Sequence, residues 1–386
     1  MSGLGRAITA DLLAALPGHA PAIPAAAARS PSSWADAGMP ALTAPGAAPV
    51  ADAAAVAAAL GATASRLARA AGRDLDVDGA ALLTERERLG GARHAPASGR
   101  SLRGGTLLSA TADGWAAINL SRPEDREALP ALTAGAVDAA GRGWEEWLAT
   151  VTTSHVVARG RLLGLAVGGL AEAASPAGGT APFTVTTTGD LRCRRVSELT
   201  VLDLSRLWAG PLAGALLARA GARVIRLIDV DRPPPTDPAD AAFEARLHAD
   251  KQVSSVSLRD RDHLAGLLAA ADVVITAMRP SALDRLPPVP TTCIHLALTA
   301  HGAGADRVGF GDDCAVAGGL VAWTADRPEF AGDAVADPLT GLAAATAALG
   351  MIATGTAGRV DVSLAGTAAW TVAAATATAA GSETGR

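Results

Sequence analysis

The chain has 386 residues, nearly half of them apolar, and a formal net charge of −5. That length allows two domains or one large one with a sizeable core. A mildly acidic balance without a Lys/Arg run leaves a nucleic-acid surface without electrostatic support.

Residues 1–30 are Ala, Pro and Gly with few large apolar anchors, and read as a disordered or irregular N-terminus. No secretory pattern is visible there. Residues 31–90 read as a helical segment, with a helix over 51–71 rich in good helix formers. A Gly/Ser/Pro loop covers 90–105.

Residues 91–190 change character and read as a small α+β domain. TLLSATADGWAAINL gives two strands about a turn at Asp113–Gly114. A helix then starts with Ser121 as cap, Pro123 in the first turn, and Glu124 and Asp125 at the positive end of the dipole. Helices over Gly143–Ala149 and Ser154–Leu162 complete the unit.

Residues 195–366 alternate strand and helix. Strands are expected at Thr200–Leu204, Val224–Ile228, Val253–Leu258, Asp272–Thr276, Cys293–Leu298 and Val360–Leu364. Helices are expected at Pro211–Ala220, with Pro at the first position, and at His263–Ala271. This order implies an α/β fold with a doubly wound, mostly parallel, Rossmann-like sheet. Residues 367–386 read as a helix and a flexible C-terminus. The stretch Ala369–Ala380 is too short and too weakly apolar to span a membrane, so a soluble cytoplasmic chain with no membrane partner is expected.

A weak internal repeat is visible. WADAGMPALTA (34–44) resembles CAVAGGLVAWT (314–324), and ADAAAVAAALGA (51–62) resembles ADPLTGLAAATA (336–347). An Ala-Asp pair opens a helix in both of the second blocks.

The common chemical motifs are absent. No GxSxG elbow, P-loop or HExxH occurs, and the turn Leu207–Pro211 lacks the dinucleotide fingerprint. The histidines are scattered. Cys193, Cys293 and Cys314 form no CxxC pair and stand at no metal-ligand spacing, so buried thiols in a reduced compartment, and no metal, are expected. The informative residue is Asp337, in DAVADPLTGL ahead of an Ala-rich helix. Asp followed by Pro is an ordinary N-cap and first-turn pair. A carboxylate held ionised at a helix start is also what nucleophilic attack on a carbonyl needs.

Residues 199–364 resemble the class III coenzyme A transferases, the CaiB/BaiF family, through stretches in the family's order. These are VLDLSRLWAGPLAGALLARAGARVIRLI, FEARLHADKQVSSVSLRD, ADVVITAMRPSALDRL, GFGDDCAVAGGLVAW and FAGDAVADPLTGLAAATAAL. TADGWAAINL and GWEEWLATVTTSHVVARGRLLGLAV resemble the family's small domain, which in this chain precedes the Asp337 half rather than following it.

The resemblance implies the family fold and a CoA-transferase, a transferase of sulfur-containing groups. It would move coenzyme A between an acyl-CoA thioester and a carboxylic acid through a covalent intermediate on Asp337. No cofactor is implied, coenzyme A being a substrate, and an intertwined homodimer is. Arg285 matches the arginine at the nucleotide end of coenzyme A, and Lys251, the only lysine, matches the family's lysine. Arg232 follows the second strand within reach of a phosphate. Trp208 would wall the acyl group with Ala209 beside it, and Arg279, Asp312, Gly318 and Gly319 complete the implied set. Two departures matter: Gly309-Phe310-Gly311 has no histidine where the racemases carry a GHD-type motif, and the family's glycine flap is reduced to Gly104–Gly105. An acyl-CoA racemase or isomerase, and a non-catalytic acyl-CoA-binding homologue, are the alternatives.

Overall fold

The computed structural model describes residues 3–17, 33–90, 97–138, 140–176, 179–234 and 237–383. The chain opens with a helix, Gly3–Ala14, where an irregular segment is expected. Ile8 and Leu12, four residues apart, put their side chains on one face of it, and Leu16 follows just beyond; all three enter the main core. Three anchors thus outweigh the Ala/Pro composition. Residues 1–2 and 18–30, the rest of that expectation, lie outside the described residues. A two-residue strand β1 (Ala48–Pro49) precedes the helix Ala53–Ala70 and the short helices Gly79–Leu82 and Glu85–Leu89.

The strand pair and short helices expected within 106–162 are present, with one strand added, while 183–190, grouped with them in the sequence reading, joins the large sheet instead. Strands β2 (Thr106–Ala110) and β3 (Trp115–Asn119) pair across a turn closed by the Thr111 N–H on the Gly114 carbonyl at 2.9 Å. A third strand, β4 (Ala166–Gly169), pairs with β3. Two glycines hide it from sequence patterning, and Gly168 must be one, because a Cβ there would lie 2.4 Å from the Asp313 carbonyl oxygen. Ser121 is not the cap of the next helix. Arg122 is, and its N–H donates to the Asp125 carboxylate at 3.2 Å. Ile118, Leu129, Leu132, Trp144, Leu148 and Val156 fill the unit's own core.

The large sheet follows. Its strands are β5 (Phe183–Asp190), β6 (Thr200–Asp203), β7 (Arg223–Asp229), β8 (Gln252–Val256), β9 (Val273–Ala277) and β10 (Ile294–Thr299). After two short strands, β11 (Val321–Trp323) and β12 (Pro328–Phe330), comes β13 (Thr356–Ser363). The order is β5-β13-β10-β9-β6-β7-β8, all parallel except β5, which runs antiparallel on the edge. Without β5 this is the doubly wound order, and its topological switch point lies between β6 and β9, where ligands bind in such sheets.

Val201, Ile275, Leu296 and Val360 point to the main core, while Leu202, Leu227 and Val274 pack on Leu264 and Leu268 of the helix Arg261–Ala269. Burial on both faces is why these strands read as continuous apolar runs.

The helix Ala336–Thr354 is the one helix among the described residues long and apolar enough to cross a membrane, and it is mostly buried. It packs on Ala53–Ala70, Ala209–Arg219 and the helix Leu364–Glu383. Its small residues let backbones close in. A Cβ on Gly341 would lie 2.5 Å from the Ala209 carbonyl oxygen, so this glycine serves helix packing.

The repeat divides. Its second blocks are both helices, and they pack together, with Thr346 Oγ1 3.5 Å from the Leu60 carbonyl. Its first blocks differ: 34–44 holds only a 3-10 turn, Met39–Leu42, whereas 314–324 spans the end of a helix and β11. β1 nevertheless pairs with β11, so the N-terminal segment completes a small sheet, β1-β11-β12, beside the Asp337 half.

Candidate active site

Asp337 is the second residue of its helix. Val335 occupies the cap position and no side chain caps the helix, so the reading of Asp337 and Pro338 as a cap and first-position pair is corrected. The Asp337 N–H instead donates to the Ala334 carbonyl at 2.8 Å. Its carboxylate, partly open to solvent, turns to the start of another helix, Ala209–Arg219, where the Ala209 backbone N–H is close enough to lower its pKa. That helix begins at Ala209, which makes Pro211 its third residue, still within the first turn where no intrahelical donor is needed.

The surrounding backbone is shaped to this contact. A Cβ on Gly311 would fall 2.4 Å from Asp337 Oδ2 and 2.6 Å from the Ala334 carbonyl oxygen. Leu207, two residues before Ala209, and Ala334, whose carbonyl accepts from the Asp337 N–H, hold left-handed backbone with φ of 68° and 45°. Such strain in non-glycine residues gathers at functional sites.

Charge is concentrated here. Arg86, from the helix Glu85–Leu89, reaches Asp333 with two hydrogen bonds, one of them Nε to Oδ2 at 2.6 Å. Its guanidinium also lies over the Trp208 ring, 4.5 Å from the centroid, and Trp208 meets Phe243 edge-on at 5.0 Å. Burial works against the Arg86 charge, but Asp333, Asp312 and Asp240 more than offset it and raise its pKa. Asp312 accepts from the Ala334 N–H at 3.0 Å and from Thr106 Oγ1 of the small unit at 3.2 Å. Burial and neighbouring Asp333 push its carboxyl up to about 6.

Burial likewise pushes Asp337 up to about 7. Arg86 pulls it down, Asp312 and Asp333 push it up, and the Ala209 N–H lowers it. One guanidinium thus faces three carboxylates, too little positive charge to keep all three at ordinary acidity.

Residues 196–386 match CoA-transferase family III. This half of the chain belongs to that family. No curated protein matches the chain. Among solved structures, a hypothetical protein from Mycobacterium tuberculosis is 25% identical with a TM-score of 0.38, over 44% of this chain and 54% of its own. A CAIB/BAIF family protein from Brucella suis is 25% identical with a TM-score of 0.41, over 50% of this chain and 58% of its own. The chain spans little more than half the length of these structures.

The expected coenzyme A residues of the family III half fall into three groups. Trp208, Ala209 and Asp312 lie together at Asp337, although Trp208 is buried under Arg86 rather than forming an open wall. Arg232, Arg279 and Arg285 are exposed in loops following β7 and β9, at the end of the sheet where the switch point opens. Arg279 lies 3.9 Å from Asp306. Arg206, which the sequence reading did not single out, joins them. Its Nη2 donates to the Pro233 carbonyl at 2.8 Å, and Arg232 is close enough to lower its pKa further after burial. Two arginines side by side beyond β6 and β7 suit phosphate oxygens.

The third group serves the scaffold. Lys251 has no exposed side-chain surface; its Nζ donates to Asp203 Oδ2 at 2.8 Å and to the Pro211 carbonyl at 2.7 Å. The expectation that it binds coenzyme A is corrected: it ties β6 to the first turn of the helix Ala209–Arg219. A Cβ on Gly318 would meet the Ala365 carbonyl at 2.6 Å, so Gly318 lets the helix Leu364–Glu383 close in, and Gly319 makes a left-handed turn with φ of 75°. Gly104 shapes a tight turn, its N–H on the Ser101 carbonyl at 2.7 Å.

Arg86 and Asp333 carry no signal in the sequence. ERER in a short helix reads as a solvated face, and the partners stand 247 positions apart. Only the fold joins them.

Proposed function

We propose that this chain is a CoA-transferase whose nucleophile is the Asp337 carboxylate. The observation that carries the reading is that Asp337, in a family III segment, caps nothing and points at the Ala209 N–H beside the switch point. The carboxylate attacks the thioester carbonyl of an acyl-CoA. The C–S bond breaks, coenzyme A thiolate leaves, and an acyl-aspartyl anhydride remains. The thiolate then attacks the aspartyl carbonyl, releasing the first acid and leaving an aspartyl-CoA thioester. An acceptor carboxylate repeats the two steps in reverse and departs as the new acyl-CoA.

The Ala209 N–H would stabilise negative charge at the aspartyl oxygen, a contribution of about 3 kcal/mol for a preorganised donor. Arg206, Arg232, Arg279 and Arg285 would hold the phosphates and nucleotide of coenzyme A. Incubation with acyl-CoA donors, trapping with hydroxylamine and peptide mapping test the scheme. The hydroxamate is expected on Asp337, and a label on any other residue refutes it.

The raised pKa of Asp337 favours a second reading. A carboxyl near 7 is matched to removing a proton at neutral pH, which an acyl-CoA racemase or isomerase does at the carbon next to the thioester. Deuterium uptake from heavy water into unreacted acyl-CoA, without exchange of coenzyme A between acids, would select that reading.

A further inference from the structure

The chain carries a second cluster of chemically capable side chains that the transferase scheme leaves unused. His301 follows β10, while Asp313 and Cys314 lie in the helix Gly311–Ala317. Their ligand-forming atoms all fall within 4.8 Å of one another. Cys314 Sγ is 3.9 Å from His301 Nε2 and 3.8 Å from Asp313 Oδ2.

We propose that His301, Asp313 and Cys314 bind a divalent metal ion of the zinc type. A tetrahedral site with metal–sulfur bonds of about 2.3 Å and metal–nitrogen or metal–oxygen bonds of about 2.0–2.2 Å sets its donors about 3.5 Å apart. The two sulfur distances need to close by only a few tenths of an ångström, and the imidazole and carboxylate, within 4.8 Å of each other, by no more than about 1.3 Å. One thiolate, one imidazole and one carboxylate select zinc over the hard cations, which take oxygen alone.

The local structure makes room for the three donors. A Cβ on Gly309 would lie 2.7 Å from Cys314 Sγ and 3.0 Å from Asp313 Oδ2, so glycine clears the space into which both point. Asp313 Oδ1 is already oriented by the Phe310 N–H at 2.9 Å, which leaves Oδ2 for the ion. This is the outer hydrogen bond that ligating carboxylates use. Cys314 and Asp313 are fully buried and His301 partly exposed, so the ion enters along the imidazole and its fourth position faces that side. Asp337 and Asp312 add negative potential close by. Arg307, the nearest cation to His301, is engaged by the Val167 carbonyl at 2.6 Å and the Glu172 carboxylate at 2.7 Å. On binding, the Cys314 thiol gives its proton to solvent and the sulfur forms the metal bond.

Cobalt titration of the full, chelator-stripped chain tests the site by its optical spectrum, without reference to turnover. One Co²⁺ per chain is expected, with a thiolate-to-cobalt charge-transfer band and strong tetrahedral visible bands, all displaced by Zn²⁺. Cys314→Ser is expected to remove the charge-transfer band, His301→Gln to weaken binding at least about tenfold, and Cys293→Ser to change neither. Absence of the charge-transfer band in the parent chain, or its persistence in Cys314→Ser, overturns the proposal. If Cys314→Ser fails to fold, the parent spectrum and the partly exposed His301→Gln variant decide. The transferase reading stands or falls separately, on the label at Asp337.

Discussion

Two helices in this chain open on the same dipeptide, Ala-Asp, and use the aspartate in opposite ways. Asp52 sits ahead of its helix and accepts from the Ala55 N–H at 3.0 Å and the Trp34 N–H at 3.2 Å, so both its oxygens serve structure. Asp337 sits one turn position inside its helix, caps nothing, and lies in an environment that resists its ionisation. What separates them is a shift of about two residues in where the helix begins. Helix starts are the part of secondary structure that sequence places worst, and here the start decides whether a carboxylate is spent on the fold or left for chemistry.

The largest effect expected from this contrast is at Asp337. Asp337→Asn is expected to lower turnover at least about a thousandfold, as loss of a nucleophile does, while leaving the chain equally or more stable, because it removes a charge that its surroundings disfavour. Steady-state CoA exchange and thermal melts measure both. Substantial activity in the variant breaks the contrast.

The pH dependence comes next. With the Asp337 carboxyl near 7, its ionised fraction, and with it turnover, is expected to fall about tenfold per pH unit below that value. Stability moves the other way. A carboxyl raised in the folded chain is protonated there when the unfolded chain has already released its proton. The stability this gives is complete below the unfolded value, about 4, and is lost as pH rises through about 7. His295 and His301, lowered to about 4 and about 3 by burial, act oppositely at acid pH. The difference in Tm between Asp337→Asn and the parent cancels them. It is expected to grow in favour of the variant from about pH 4 to about pH 7, and a flat difference would show an Asp337 of ordinary acidity.

Gly341→Ala probes the packing that brings the Ala209 N–H to the carboxylate. The added methyl meets the Ala209 carbonyl and Leu212, and overpacking of this kind costs about 1–3 kcal/mol. Turnover is expected to fall with stability because the N–H moves with its helix. A stability loss with unchanged turnover would detach Ala209 from the reaction.

Much of the sheet was legible, for a physical reason. Strands buried on both faces need nearly unbroken apolar runs, and β6, β9 and β10 fall within a few residues of where VLDL, DVVIT and CIHLAL place them, while the half-buried β7 still shows in VIRLI. β4 carries two glycines, and β1, β11 and β12 have two or three residues, too few for a period to register. At the site, Asp337 was legible because its local sequence resembles the family's. Arg86 and Asp333 were not, since their meaning is a contact between distant segments. Lys251 was misread because a lone lysine looks like a ligand cation until Asp203 is seen to bury with it.

The smallest expected effect completes the contrast. Asp52→Asn keeps a side-chain oxygen for the Ala55 N–H, and Asn caps nearly as well as Asp. It replaces the oxygen facing the Trp34 N–H with a donor, so one partly exposed hydrogen bond is lost. Together these should cost a few tenths to about 1 kcal/mol, read as a small drop in Tm. Turnover should be unchanged, because the block 34–44 ahead of Asp52 forms only a 3-10 turn, whereas the block 314–324 ahead of Asp337 includes the end of the helix Gly311–Ala317. The helices of Asp52 and Asp337 do pack on each other, so an effect through the scaffold would appear in proportion to lost stability. A folded Asp52→Asn chain that loses turnover without losing stability would mean that both halves of the repeat share the chemistry, and that one carboxylate does not suffice.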